Sequence, residues 1–172
     1  LKPVYTFENL CLGDSNEFGL ACAKAAAENP CHTFNPLVIY SDVGLGKTHL
    51  LHAIGHEVSK KGLNCTYVTC EEFTNQYVKS LQQGTTEKFR DFYRSSDVLL
   101  LDDVQFLIAK EQTQEVFFHT CNALHMANKQ IVVTSDRPVS SINVLEQRIT
   151  SRLAGGLFAD MQHPPFETRL AI

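Results

Sequence analysis

Residues 37–51 read Leu-Val-Ile-Tyr-Ser-Asp-Val-Gly-Leu-Gly-Lys-Thr-His-Leu-Leu: an apolar run, a glycine turn and a Lys-Thr pair that opens a second apolar pattern. Leu37 to Tyr40 suits a short strand buried on both faces, and 47–60 suits a helix with Leu50, Leu51, Ile54 and Val58 turned inward. Strand, loop and helix follow one another as a phosphate-binding loop requires. Gly44 and Gly46 let backbone N–H groups approach phosphate oxygens, with Leu45 between them, and Lys47 opens a helix whose positive end faces the same point. Lys47 would reach the outer phosphates and Thr48 would hold Mg²⁺. The full pattern G-x-x-x-x-G-K-[ST] asks for glycine at position 41, where this chain carries Ser41, followed by Asp42. A Gly-Lys turn that merely caps a helix is the plainer alternative.

The remaining chain repeats the alternation. Asp14-Ser15-Asn16-Glu17 precedes an alanine-rich helix to about Ala27, and strands are expected over 64–69, 98–101, 130–134 and 157–161. Helices are expected over 71–81, 86–93, 110–127 and around 145–152. This predicts one α/β domain over residues 1–172, three layers αβα, with a five-stranded parallel sheet covered on both faces. A chain of 172 residues with 44% hydrophobic content can build such a core. No signal peptide or membrane-crossing segment is legible, so a cytoplasmic protein is the expectation. Six cysteines occur without a Cys-x-x-Cys pair and are read as reduced, mostly buried small apolar residues. The net charge of −4 argues against non-specific coating of nucleic acid, although a local basic strip can still contact phosphates.

Val98-Leu99-Leu100-Leu101-Asp102-Asp103 is an apolar strand ending in two carboxylates, where a phosphate-loop protein places the acid that orders Mg²⁺. Asp102 is the candidate on the metal side, and Asp103 is placed to orient or deprotonate an attacking water. Two acids capping a turn would look the same if the strand stood alone. Thr134-Ser135-Asp136-Arg137 ends the fourth strand on the same sheet edge, as a phosphate sensor or as a turn. Arg148 and Arg152 lie four apart, either a solvated pair or an arginine finger reaching a neighbour's nucleotide. His49, His52 and His56 share a helical face, but no Glu motif or cysteine accompanies them, and they are read as surface or packing histidines.

Taken together, Tyr5-Thr6-Phe7-Glu8-Asn9, Gly13-Asp14-Ser15-Asn16, Asn35-Pro36-Leu37, the loop from Gly44 to Leu51, Asp102-Asp103-Val104-Gln105-Phe106-Leu107 and Thr134-Ser135-Asp136-Arg137-Pro138 closely resemble the ATPase domain of the DnaA family of bacterial chromosomal replication initiators. The resemblance implies a P-loop NTPase of the AAA+ type. Such a domain binds ATP or ADP with Mg²⁺, assembles into a filament on the origin, promotes unwinding, and hydrolyses ATP slowly as a switch. It also implies that 71–95 is the family's helical insertion and that Val78, Lys110 and Thr113 line a single-stranded DNA path. Asp136 matches the first nucleotide sensor, Arg152 the finger through which subunits self-assemble, and Asn16 the segment beside the adenine. A replicative helicase is a further implied partner.

Ser41 and Asp42 replace two glycines usual in the family, and Gln112 replaces a usual basic residue on the DNA path. A carboxylate beside phosphates costs affinity unless it turns outward, and a lost positive charge weakens phosphate contact. Residues 165–172 resemble the opening of the lid helix, with the lid and a C-terminal DNA-binding domain expected outside this sequence. Two other readings stay open: a helicase loader or initiator-regulating relative acting through a protein partner, and a non-catalytic scaffold with a degraded phosphate loop.

Overall fold

The structure is a computed structural model and describes residues 1–11, 13–107, 110–136 and 155–162. Helix α1 spans Glu17–Glu28, strand β1 Leu37–Tyr40, helix α2 Lys47–Lys60, strand β2 Cys65–Thr69, helices α3 Cys70–Gln82 and α4 Thr86–Arg94, strand β3 Val98–Asp102, helix α5 Glu111–Met126, strand β4 Gln130–Ser135 and strand β5 Leu157–Asp160. A single 3-10 turn over Val104–Leu107, absent from the sequence reading, separates β3 from α5. The helix expected around 145–152 lies outside the described residues.

The five strands form one sheet in the order β2-β3-β4-β1-β5. Each neighbouring pair is parallel, with β1 set between β4 and β5. The strands bearing the loop and the acidic pair are therefore not neighbours: β4 runs between them. The apolar runs are continuous because alternate residues feed opposite cores. Leu37, Ile39, Leu100 and Val132 pack with α1 and α2, using Leu50, Leu51, Ile54 and Val58 as expected. Val38, Leu99, Leu101 and Val133 pack with Phe73, Phe89, Tyr93 and Phe117 from α3, α4 and α5 on the other face.

Local chemistry sets the element ends. The Thr69 hydroxyl accepts the Glu72 N–H at 3.1 Å and caps α3. At the far edge, Leu157 N–H donates to the Pro36 carbonyl at 3.0 Å, tying β5 to the entry of β1. Because all strands run the same way, Ser41, Thr69, Asp102 and Ser135 come to one edge of the sheet, where open α/β folds bind ligands.

Candidate functional site

The loop between β1 and α2 keeps two glycines in the left-handed region, Gly44 at φ 85° and Gly46 at φ 91°. Ser41 and Asp42 are absent from the positive-φ residues, so the two departures from glycine impose no left-handed strain. Ser41 is buried and its N–H donates to the Ser135 carbonyl at 3.2 Å, continuing the β1–β4 ladder by one residue. Asp42 is exposed. No side chain caps α2 at Gly46, which leaves the helix N-terminal amides directed at the loop.

Lys47 is 7% exposed and folds back over the loop. Its Nζ donates to the Ser41 carbonyl at 2.8 Å, the Asp42 carbonyl at 2.9 Å and the Ser41 hydroxyl at 3.2 Å. The Ser41 hydroxyl itself donates to the Asp42 carbonyl at 3.0 Å, so it offers Lys47 a lone pair. Burial pushes the Lys47 ammonium below the usual lysine value, while Asp103, Asp102, Asp136 and Asp42 favour its charge.

Asp102 is buried and meets three hydroxyl donors. Thr48 Oγ1 donates to its Oδ2 at 2.7 Å, Tyr67 OH to the same oxygen at 3.0 Å, and Thr134 Oγ1 to Oδ1. The carboxylate and the Thr48 hydroxyl are hard oxygen donors of the kind Mg²⁺ takes. Among the described residues no group of three or more His, Cys, Asp or Glu could hold an ion alone, so Mg²⁺ here would complete its shell with phosphate oxygens and water. Asp103 adopts φ 60°, unusual for a residue with a side chain, which turns the backbone sharply after Asp102. Its N–H donates to Thr134 Oγ1 at 2.9 Å and its carboxylate accepts from Gln105 Nε2 at 3.1 Å. Gln105 Oε1 in turn accepts the Asp136 N–H at 3.2 Å, linking the acidic turn to the end of β4.

Asn16 closes the segment beside the loop: its Oδ1 accepts the Gly13 N–H at 3.0 Å and its Nδ2 donates to the Cys11 carbonyl at 2.8 Å. Leu10 lies on the loop's flank, 3.6 Å from where a Cβ on Gly46 would stand. Gly44, Leu45, Gly46, Lys47, Thr48, Asp102, Asp103 and Asp136 thus gather at one sheet edge, with the Asn16 segment alongside. Arg148 and Arg152 lie outside the described residues. Val78 is 44% exposed on α3, Lys110 is exposed at the start of α5, and α3 packs on the 3-10 turn that precedes Lys110. Thr113, by contrast, is only 5% exposed. The sequence reading gave Tyr67 and Gln105 no role: Tyr67 lies in no motif and is brought to Asp102 by strand pairing, while Gln105 lies within the 102–107 run and is brought to Asp103 by the unforeseen 3-10 turn.

A family model described as the Bacterial DnaA ATPase domain matches residues 1–160. The chain is 53% identical over its whole length to the chromosomal replication initiator protein DnaA of Caldanaerobacter subterraneus subsp. tengcongensis, and equally to that of Corynebacterium aurimucosum. It spans 39% of the first relative and 32% of the second. The structure matches AMPPCP-bound DnaA from Aquifex aeolicus at TM-score 0.94 and 42% identity, covering 98% of this chain and 52% of that one. It matches a DnaA bound to AMPPCP and single-stranded DNA at TM-score 0.92 and 42% identity, covering 95% and 51%. Likeness to the DnaC helicase loader, at TM-score 0.77 and 18% identity over 93% of this chain and 99% of that one, is one of fold alone. With 53% identity along its whole length and the Gly-Lys-Thr loop, the acidic pair and the end of β4 at one sheet edge, the chain belongs to the bacterial DnaA family, as its ATPase domain.

Proposed function

We propose that this domain is the nucleotide switch of a chromosomal replication initiator, acting in the cytoplasm and binding ATP or ADP with Mg²⁺. The observation that carries the proposal is the coupling of Thr48 to Asp102 at 2.7 Å beside a loop whose Lys47 and helix amides converge on one point. Gly44, Leu45, Gly46 and Lys47 hold the phosphates through backbone N–H groups and one ammonium, and the Asn16 segment flanks the adenine. Thr48 and Asp102 hold Mg²⁺, which neutralises charge on the phosphate oxygens when bound. Asp103 orients and accepts a proton from the attacking water, and Asp136 senses the outer phosphate.

Arg152 supplies the finger that reaches a neighbour's nucleotide, so a subunit hydrolyses ATP slowly until it joins a filament. Val78, Lys110 and Thr113 are proposed contacts to single-stranded DNA. Lys110 acts by its charge and Val78 by apolar contact, while Thr113, 5% exposed, offers the strand little beyond the backbone of the first turn of α5. A replicative helicase is a proposed later partner. Calorimetric titration with Mg-ADP and Mg-ATP tests the reading: micromolar or tighter binding that Lys47→Ala abolishes is the expected result. A chain that binds neither nucleotide at millimolar concentration would leave the scaffold reading in its place.

A further inference from the structure

Two of the three donors on Asp102 come from places the phosphate-loop architecture already requires, the start of α2 and the end of β4. Tyr67 does not: it sits in the middle of β2, the strand at the sheet's edge. Its ring packs on His52 of α2 with centroids 4.2 Å apart, and the His52 imidazole is 3% exposed. On its other side His52 meets the Tyr5 ring at 5.4 Å, and its Nδ1 accepts the Lys2 backbone N–H at 3.2 Å. His49 stacks on Tyr5 at 4.9 Å and donates to the Thr6 carbonyl at 2.6 Å, while His56 donates to the Lys2 carbonyl at 2.9 Å. All three histidines of the α2 face thus hold the segment 1–9, and one of them continues it, ring upon ring, to the carboxylate.

We infer that Tyr67 is a positioning residue for Asp102 and that the docked N-terminal segment, acting through Tyr5 and His52, governs how tightly the site takes Mg²⁺. The inference rests on the nucleotide reading above. A carboxylate bonded on one oxygen can still swing about its Cβ–Cγ bond; donors on both oxygens fix its plane. Thr134 holds Oδ1, while Oδ2 takes both Thr48 and Tyr67; Thr48 is the hydroxyl that Mg²⁺ would claim, which leaves Tyr67 to hold Oδ2. The Tyr67 ring leans on His52, and His52 is held between Tyr67 and the Tyr5 and Lys2 contacts. Lifting the N-terminal segment therefore loosens Asp102 through His52 and Tyr67.

The experiment uses this chain with ADP. Tyr67→Phe keeps the ring and its packing but deletes the hydroxyl. ADP affinity in EDTA is expected to equal that of the parent chain, while Mg²⁺ titrated into the ADP-loaded variant binds about tenfold more weakly, a usual cost of losing an outer-shell partner. Tyr5→Ala is expected to shift Mg²⁺ binding in the same direction by a smaller factor. The double variant should bind Mg²⁺ no more weakly than Tyr67→Phe alone, since the segment acts through Tyr67. An unchanged Mg²⁺ affinity in Tyr67→Phe, or loss of its cooperative melting, would reduce Tyr67 to a packing residue and overturn the inference. Additive effects in the double variant would overturn the coupling to the N-terminal segment. Absence of ADP binding by the parent chain, a separate result, would overturn the nucleotide reading on which the inference stands.

Discussion

The Lys47 ammonium faces three oxygens of its own loop, and a phosphate has to compete with all of them. Two are carbonyls that any sequence would supply; the third is the Ser41 hydroxyl, which a glycine at that position would lack. Ser41→Gly and Ser41→Ala should each raise nucleotide affinity about three- to tenfold, the worth of one hydrogen bond to a charged group, which calorimetry on the variants would read. His52 supports a second prediction. Burial pushes its imidazole down to about 4 from an ordinary 6.5. As pH falls through 6.5 the unfolded chain takes up a proton that the folded chain refuses until about pH 4. The stability is thus intact above about 6.5 and is lost progressively between 6.5 and 4, on the order of 2 kcal/mol of it by pH 5. Urea unfolding at pH 7.5 and pH 5 should show that slope, and His52→Gln should flatten it.

At the scale of elements, β5 is held by close backbone approach. A Cβ on Gly156 would stand 1.8 Å from the Pro36 carbonyl oxygen, the acceptor that Leu157 N–H uses to enter the sheet. Gly156→Ala should therefore push β5 from β1 and cost more than about 2 kcal/mol, visible as a lowered denaturation midpoint. The α3–α4 pair is anchored differently, by Phe73 set edge-on to Phe89, Tyr93 and Phe117 at 5.1, 4.9 and 6.1 Å. Phe73→Ala should cost about 3–5 kcal/mol. The proposed DNA path runs from exposed Val78 to exposed Lys110, with the uncharged Gln112 beside it. Lys110→Ala should weaken single-stranded DNA binding and lower its salt slope by about 0.7, measured as affinity against salt concentration. The helix and strand patterns were legible to within about a residue at most ends, because both cores are built from unbroken periodic apolar positions. The 3-10 turn at Val104–Leu107 was not, since four residues carry too little periodicity to announce a turn type.

For the whole molecule, the proposed switch needs more than one subunit. Hydrolysis should rise with protein concentration in the presence of single-stranded DNA, and Arg152→Ala should remove that dependence while leaving ADP affinity unchanged; rates measured across a concentration series decide it. Among the described residues no helix is long and apolar enough to cross a membrane. The amino-acid sequence by itself determined the α/β class, the phosphate loop with Lys47 and Thr48, and the acidic pair, because each is a local pattern whose spacing is set by covalent geometry and helix or strand period. The tertiary structure alone decided that β4 lies between the loop strand and the acidic strand, so that Thr134 bonds Asp102 and Ser135 carries Ser41. It alone turned Asp103 through φ 60° onto Gln105, turned three histidines toward the N-terminal segment, and set Tyr67 against Asp102. Apart from Asp103 with Gln105, two positions on, these contacts join residues tens of positions apart, and strand order and register, which fix them, depend on how the two cores close around the sheet.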